Sequence, residues 1–132
     1  MKSFLKISLL LWVTFLVISC NNSTYTQGKR MYEVYCQNCH MDDGMGLAKL
    51  IPPLANADYL RDNQEMIPCI IYHGQNDTIV VNGVTFTQEM PGEKYNEVQI
   101  TNIINYINTA WGNQIEPVTL DQVKERLAKC DN

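Results

Sequence analysis

Basic residues are scarce in this chain. Ten lysines and arginines stand against 14 aspartates and glutamates over 132 residues, a formal net charge of −4 at pH 7. Nothing here is basic enough to suit a nucleic-acid partner. Histidine is scarcer still: His40 and His73 are the whole supply. Few side chains are therefore available to move protons near neutral pH. Long hydrophobic runs are also missing. The almost unbroken apolar stretch from Ile7 to Ile18 would rise roughly 18 Å as a helix, short of a bilayer core of ~30 Å. There is no internal repeat and no low-complexity segment, so the length leaves one domain with an N-terminal appendage.

That appendage is ordered like a leader. Lys2 and Lys6 open it, the apolar stretch follows, and Val17-Ile18-Ser19-Cys20 closes it. The last four residues resemble a bacterial lipobox. The resemblance implies cleavage before Cys20 and a lipid on the Cys20 sulfur. We therefore expect a signal peptide over 1–19 and a lipidated N-terminus with linker over 20–26. A main domain would fill 27–113, with a C-terminal helical appendage over 114–132. The protein is expected to be exported and membrane-anchored, facing the periplasm. Removing Lys2 and Lys6 from the ten leaves 8 basic against 14 acidic side chains, a net −6.

Cysteine is where the sequence is informative. Residues 36–40 read Cys-Gln-Asn-Cys-His, the attachment signal for c-type haem. Each thiol can form a thioether to one haem vinyl group, and the next residue, His40, can present its imidazole to the iron. A random chain of this composition would contain the pattern about 0.003 times. Cys-x-x-Cys alone would also fit redox or zinc sites; the histidine narrows the choice. The run occurs once, so one covalent haem c is expected. Cys69 and Cys130 are left over. They can pair in an oxidising compartment, or Cys69 can be a small buried hydrophobe and Cys130 a terminal residue. Separation in sequence does not decide between these.

Patterning outlines the domain. Residues 27–38 read as a helix capped by Thr26 and running into the haem motif. Asn56 or Asp58 can start a short helix around Tyr59 and Leu60. A helix over about 64–72 either begins near Ile67, with Pro68 in its first turn, or kinks at the proline; Gly74 stops it. Ile79 to Val81 and Val84 to Phe86 flank Asn82-Gly83, a hairpin signal. Met90-Pro91-Gly92 reads as an irregular loop. Val98, Ile100, Ile103, Ile104 and Ile107 repeat at helical spacing over 96–110. A last helix over 117–130 takes Thr119 as its N-cap.

Methionine supplies the second axial candidate. Met41 and Met45 lie too close to His40 in sequence to reach the opposite haem face. Met31 and Met66 fall on helices, where methionine is usually packing. Met90 follows His40 by some fifty residues, enough for the chain to pass around the haem edge. His73 is the alternative, but as a helix C-terminal residue it has another explanation.

Together these residues resemble the class I c-type cytochromes, over roughly Thr26 to Asn113. The matching positions are Gly28-x-x-x-Tyr32-x-x-x-Cys36-Gln-Asn-Cys39-His40, Pro52-Pro53-Leu54, Val81-Asn82-Gly83, Met90-Pro91-Gly92 and Tyr106-Ile107-x-x-x-Trp111-Gly112-Asn113. The resemblance implies an all-α cytochrome c fold of three to five helices around one haem, with a small β-hairpin before the Met ligand loop. It implies a close crossing of the first and last core helices at Gly28 and Tyr106. It also implies that a proline carbonyl accepts the His40 Nδ1 proton, with Pro53 the better match and Pro52 the alternative. Met41 departs from the glycine often found after the ligand, and Cys69 and the helix over 117–130 lie outside the pattern.

His40 and Met90 together would fill both axial positions and leave none open to oxygen or peroxide. A methionine ligand raises the reduction potential. The expected function is one-electron transfer between membrane-associated respiratory redox partners, without enzymatic activity of its own. Those partners would be a membrane-bound oxidase, reductase or quinol-oxidising complex. An acidic surface suits a positively charged partner. The alternatives are an electron-entry subunit of one larger oxidase or reductase, and a haem enzyme or ligand sensor with a labile Met90.

Overall fold

A computed structural model describes residues 24–130. The expected signal peptide, the lipobox and Cys20 lie outside the described residues. Helix α1 spans Thr24–Tyr35 and α2 spans Gln37–His40. The single expected helix is thus interrupted at Cys36. Helices α3 (Asp58–Asp62) and α4 (Ile67–His73) follow. Strands β1 (Gly74–Gln75), β2 (Ile79–Val81), β3 (Val84–Phe86) and β4 (Met90–Pro91) come next. Helix α5 (Glu97–Thr109), a 3₁₀ turn (Ala110–Gly112) and α6 (Leu120–Leu127) complete the described chain. The fold is mostly helical, as expected. The helix count is higher than three to five, because the haem motif folds as its own turn and α6 adds another.

Local chemistry explains most of the element boundaries. Pro68 sits in the first turn of α4, where its missing N–H costs no hydrogen bond. Asn82 and Gly83 have φ of 50° and 77°, the left-handed pair that a two-residue hairpin turn requires. Asn96 and Thr119 each cap a helix with a reciprocal glutamine, an arrangement that satisfies two otherwise unpaired N–H groups.

Helix α5 is the spine of the core. Ile100, Ile103, Ile104 and Ile107 are buried along one stripe. Val98, expected on that stripe, is 52% exposed; at 100° per residue it points about 200° away from Ile100. Helix α1 crosses α5 at Gly28, where a β-carbon would stand 2.8 Å from Tyr106 Cβ. Only glycine allows that approach. Beside the crossing, Trp111 packs edge to face with Tyr32 and Tyr106, with ring centroids 5.0 and 5.5 Å apart, a geometry favoured by the ring quadrupoles, and the two tyrosines tilt against each other at 5.3 Å. The buried Tyr32 hydroxyl donates to the Met41 carbonyl at 2.5 Å, which ties the core to the end of the haem motif.

Two sheet fragments occur among the described residues. One is the β2–β3 hairpin; the other pairs β1 with β4, placing Gln75 opposite Met90 and Gly74 opposite Pro91. The expected irregular loop at Met90 is therefore a short ladder with β1, the two residues that follow α4. The segment expected as an appendage contributes Val118 and Val123 to the same core as α5. Cys69 and Cys130 are joined by a disulfide across 61 residues, with Cα atoms 5.4 Å apart.

Candidate haem site

The near side of the site is built by one turn of helix. The His40 and Cys39 amides both donate to the Cys36 carbonyl, at 2.9 and 3.1 Å. Residues i, i+3 and i+4 then share a face, so Cys36, Cys39 and His40 converge on one cleft. That is the physical reason for the two-residue gap. Cys36 and Cys39 are free thiols. Burial, with the charges of Cys39 and Glu93 adding, pushes the Cys36 thiol up to about 11.

His40 is 8% exposed. Its Nδ1 lies 3.1 Å from the Pro52 carbonyl oxygen. A carbonyl can only accept, so Nδ1 carries the proton and Nε2 is left with its lone pair for a metal. Burial lowers the His40 pKa from the ordinary value, opposed by the Pro52 bond. The imidazole is thus neutral at neutral pH, the form that ligates. The proline is Pro52, not Pro53 as expected. Leu47 and Ile51 form a bridge that folds the loop back on itself, and the amides of Leu54 and Ala55 are held by the Gly44 carbonyl at 2.7 and 2.9 Å. Between these two fixings the Pro52 carbonyl reaches the ring. Pro53 lines the cleft without that bond.

The methionine part of the site is assembled from separated segments. Met90 lies on the wall of the same cleft, half-buried, in the β1–β4 ladder. It is the one methionine on that wall among the described residues. Met45 and Met66 are 57% and 53% exposed. His73, the alternative ligand, is exposed and absent from the wall. Gln75 and Tyr59 also face the cleft, with Gln75 Nε2 donating to the Tyr59 hydroxyl at 3.2 Å. No sequence pattern marked this pair; only the register opposite Met90 reveals it.

The cleft encloses about 1050 Å³ of atom-free space, part of it open to solvent. Its walls are aliphatic and aromatic, from Leu60, Ile67, Ile71, Phe86, Ile103 and Ile107. Among the described residues, no three His, Cys, Asp or Glu side chains converge on a bare metal ion. Paired thiols, a neutral imidazole with Nε2 free, a thioether and an apolar slot suit an iron carried in a flat hydrophobic macrocycle.

Comparison with known proteins agrees. The family described as Cytochrome c matches residues 25–111, and the chain belongs to that family. Its cofactor is accordingly haem c, covalently bound, and its chemistry is electron transfer. The chain is 31% identical over 101 residues to the cytochrome c subunit of a quinone alcohol dehydrogenase from Gluconacetobacter polyoxogenes, covering 74% of this chain and 21% of that relative. It is 27% identical over 127 residues to cytochrome c-552 of Thermus thermophilus, covering 89% and 85%. The chain spans only about a fifth of the dehydrogenase subunit. Among solved structures, the c-type cytochrome XoxG from Methylobacterium extorquens AM1 superposes with a TM-score of 0.47 at 20% identity, covering 81% of this chain and 66% of that one.

Proposed function

We propose that this protein is a one-electron carrier whose single haem iron is held between His40 and Met90. The observation that carries the reading is the placement of Cys36, Cys39, His40 and Met90 on the walls of one apolar cleft. When bound, haem supplies a ferric/ferrous couple. Cys36 and Cys39 tether it. Pro52 fixes the ring plane of His40 and strengthens it as a ligand. Met90 would hold the iron as the second ligand, and its soft thioether would favour the reduced state. The apolar walls keep water away, so little around the site has to rearrange when the charge changes. With His40 and Met90 both engaged as ligands, the iron would have no open position, and the protein would act as a carrier without a catalytic site of its own.

The N-terminal pattern ending at Cys20 supports a lipid-anchored, exported protein facing the periplasm. The disulfide between Cys69 and Cys130 fits an oxidising compartment. The partners proposed are membrane-associated respiratory redox proteins: an oxidase, a reductase or a quinol-oxidising complex. The similarity to a dehydrogenase cytochrome subunit favours one alternative, in which the protein serves as the electron-entry subunit of a single larger enzyme.

Redox titration of the purified holoprotein with ferric-state spectroscopy tests the proposal. We expect a low-spin ferric haem, a weak sulfur-to-iron band, and only slow capture of cyanide. A high-spin ferric state with immediate cyanide binding would indicate an open site and a haem enzyme or sensor instead. Co-purification of the tethered protein with one enzyme at fixed stoichiometry would favour the subunit over the shuttle.

A further inference from the structure

We propose that the C-terminal segment, residues 114–130, is a brace that holds the Met90 strand closed over the iron. The disulfide, Asn108 and Arg126 are its positioning residues. The proposal rests on Met90 ligation as read above.

The path of the brace runs through α4. Ile67, Ile70 and Ile71 form part of the cleft wall. Cys69 lies about 200° around the helix from Ile67 and from Ile71. Its sulfur faces away from that wall and is bonded to Cys130. The other end of α4 carries the Met90 strand. Gly74 and Gln75 pair with Pro91 and Met90, and the Glu93 amide donates to the Ile71 carbonyl at 2.9 Å. The two backbones touch with no side chain between them: a β-carbon on Gly74 would stand 2.5 Å from the Met90 carbonyl oxygen, and one on Gly92 2.5 Å from the Gly74 nitrogen. A tilt of α4 therefore moves Met90 directly.

The brace in turn is fastened to α5, the most deeply buried helix. The Asn105 side chain accepts from the Val118 amide at 2.7 Å and donates to the Val118 carbonyl at 3.0 Å. Asn108 is fully buried and donates to Gln64 Oε1 at 2.8 Å and to the Glu116 carbonyl at 3.2 Å. Arg126, with a side chain only 11% exposed, donates to the Gln64 carbonyl at 3.2 Å and pairs with Glu65 at 2.7 Å. The turn just before α4 and a residue within it are thus both pinned to the C-terminal segment, which is pinned to the core. None of these groups touches the iron ligands, so their effect on the iron is by position.

The test is the rate at which the ferric holoprotein captures cyanide, which requires Met90 to leave. We expect the double variant Cys69→Ser/Cys130→Ser to keep the sulfur-to-iron band at neutral pH and to capture cyanide about tenfold faster, equivalent to ~1.4 kcal/mol of easier opening. Arg126→Ala leaves the disulfide intact and should accelerate capture in the same direction by a smaller factor; it carries the test if the double variant does not accumulate as holoprotein. Ile104→Ala, a core change off the cleft wall, controls for general loss of stability. Capture rates unchanged in the brace variants, or raised equally by Ile104→Ala at matched stability, overturn the brace. Met90→Ala separates the two readings: if it retains the sulfur-to-iron band, the ligand assignment itself has failed.

Discussion

The two sides of the cleft are built on different principles. The histidine side is local. Cys36, Cys39 and His40 arise from one helical turn, and the supporting Pro52 is 12 residues away. The methionine side is tertiary. Met90 is placed by a ladder to Gly74–Gln75, by α4 behind the ladder, and by a disulfide from the end of the described chain. A local motif can be recognised from a few letters and survives distant changes. A tertiary one depends on many remote residues, so its strength can be set far from the iron.

The largest effect should come from breaking the local side. The polypeptide is small and much of its apolar wall faces the cleft, so the chain depends on haem to complete the core. Cys36→Ala/Cys39→Ala should abolish cooperative unfolding, read by circular dichroism during thermal or denaturant titration. A sharp, wild-type-like transition in that variant would mean that the protein core is sufficient.

Removing the disulfide should come next. The entropy of closing a loop of 61 residues' separation corresponds to roughly 4 kcal/mol of lost stability. The midpoint in guanidinium reads this loss. The asymmetry matters more than its size: His40 ligation should persist while the methionine side loosens.

A smaller break aims at the ladder alone. Gly92→Ala would press a methyl group into the His73–Gly74 backbone, costing about 1–3 kcal/mol. We expect weakening of the sulfur-to-iron band and a lower potential, with the haem still attached. An unaltered band would show that the ladder does not hold Met90.

The smallest effect is in alkali, on the core that supports the histidine side. Burial, with nearby negative groups, raises the Tyr32 pKa well above the ordinary phenol value, and burial with Glu93 pushes Tyr95 up to about 12. A raised folded pKa stabilises below the unfolded pKa of 10 and loses that contribution as pH rises beyond it. Stability should therefore fall from about pH 10 upward, by at most ~1.4 kcal/mol per pH unit for each phenol. Tyr32→Phe should flatten the fall. An identical slope in the variant would place the titrating groups elsewhere.

What could be read from the sequence follows the same division. The β2–β3 hairpin was legible because Asn82-Gly83 is local turn chemistry. The start of α4 was legible because Pro68 permits few positions. The β1–β4 ladder was not: Gly74–Gln75 and Met90–Pro91 carry no period or composition that pairs them. Pro52 and Pro53 are neighbours with the same side chain, and only the fold of the 44–55 loop decides which carbonyl meets His40. The disulfide stayed open because distance between Cys69 and Cys130 exists only in three dimensions. Val98 shares the apolar character of the stripe but not its phase, so the helix turns it to the outside.

On this reading the two differently built sides meet at one iron. X-ray absorption at the iron edge of the ferric holoprotein tests it most directly. We expect nitrogen ligands with one sulfur in the iron shell, and loss of that sulfur in Met90→Ala. A shell without sulfur in the native protein, or one that keeps its sulfur in Met90→Ala, would contradict it.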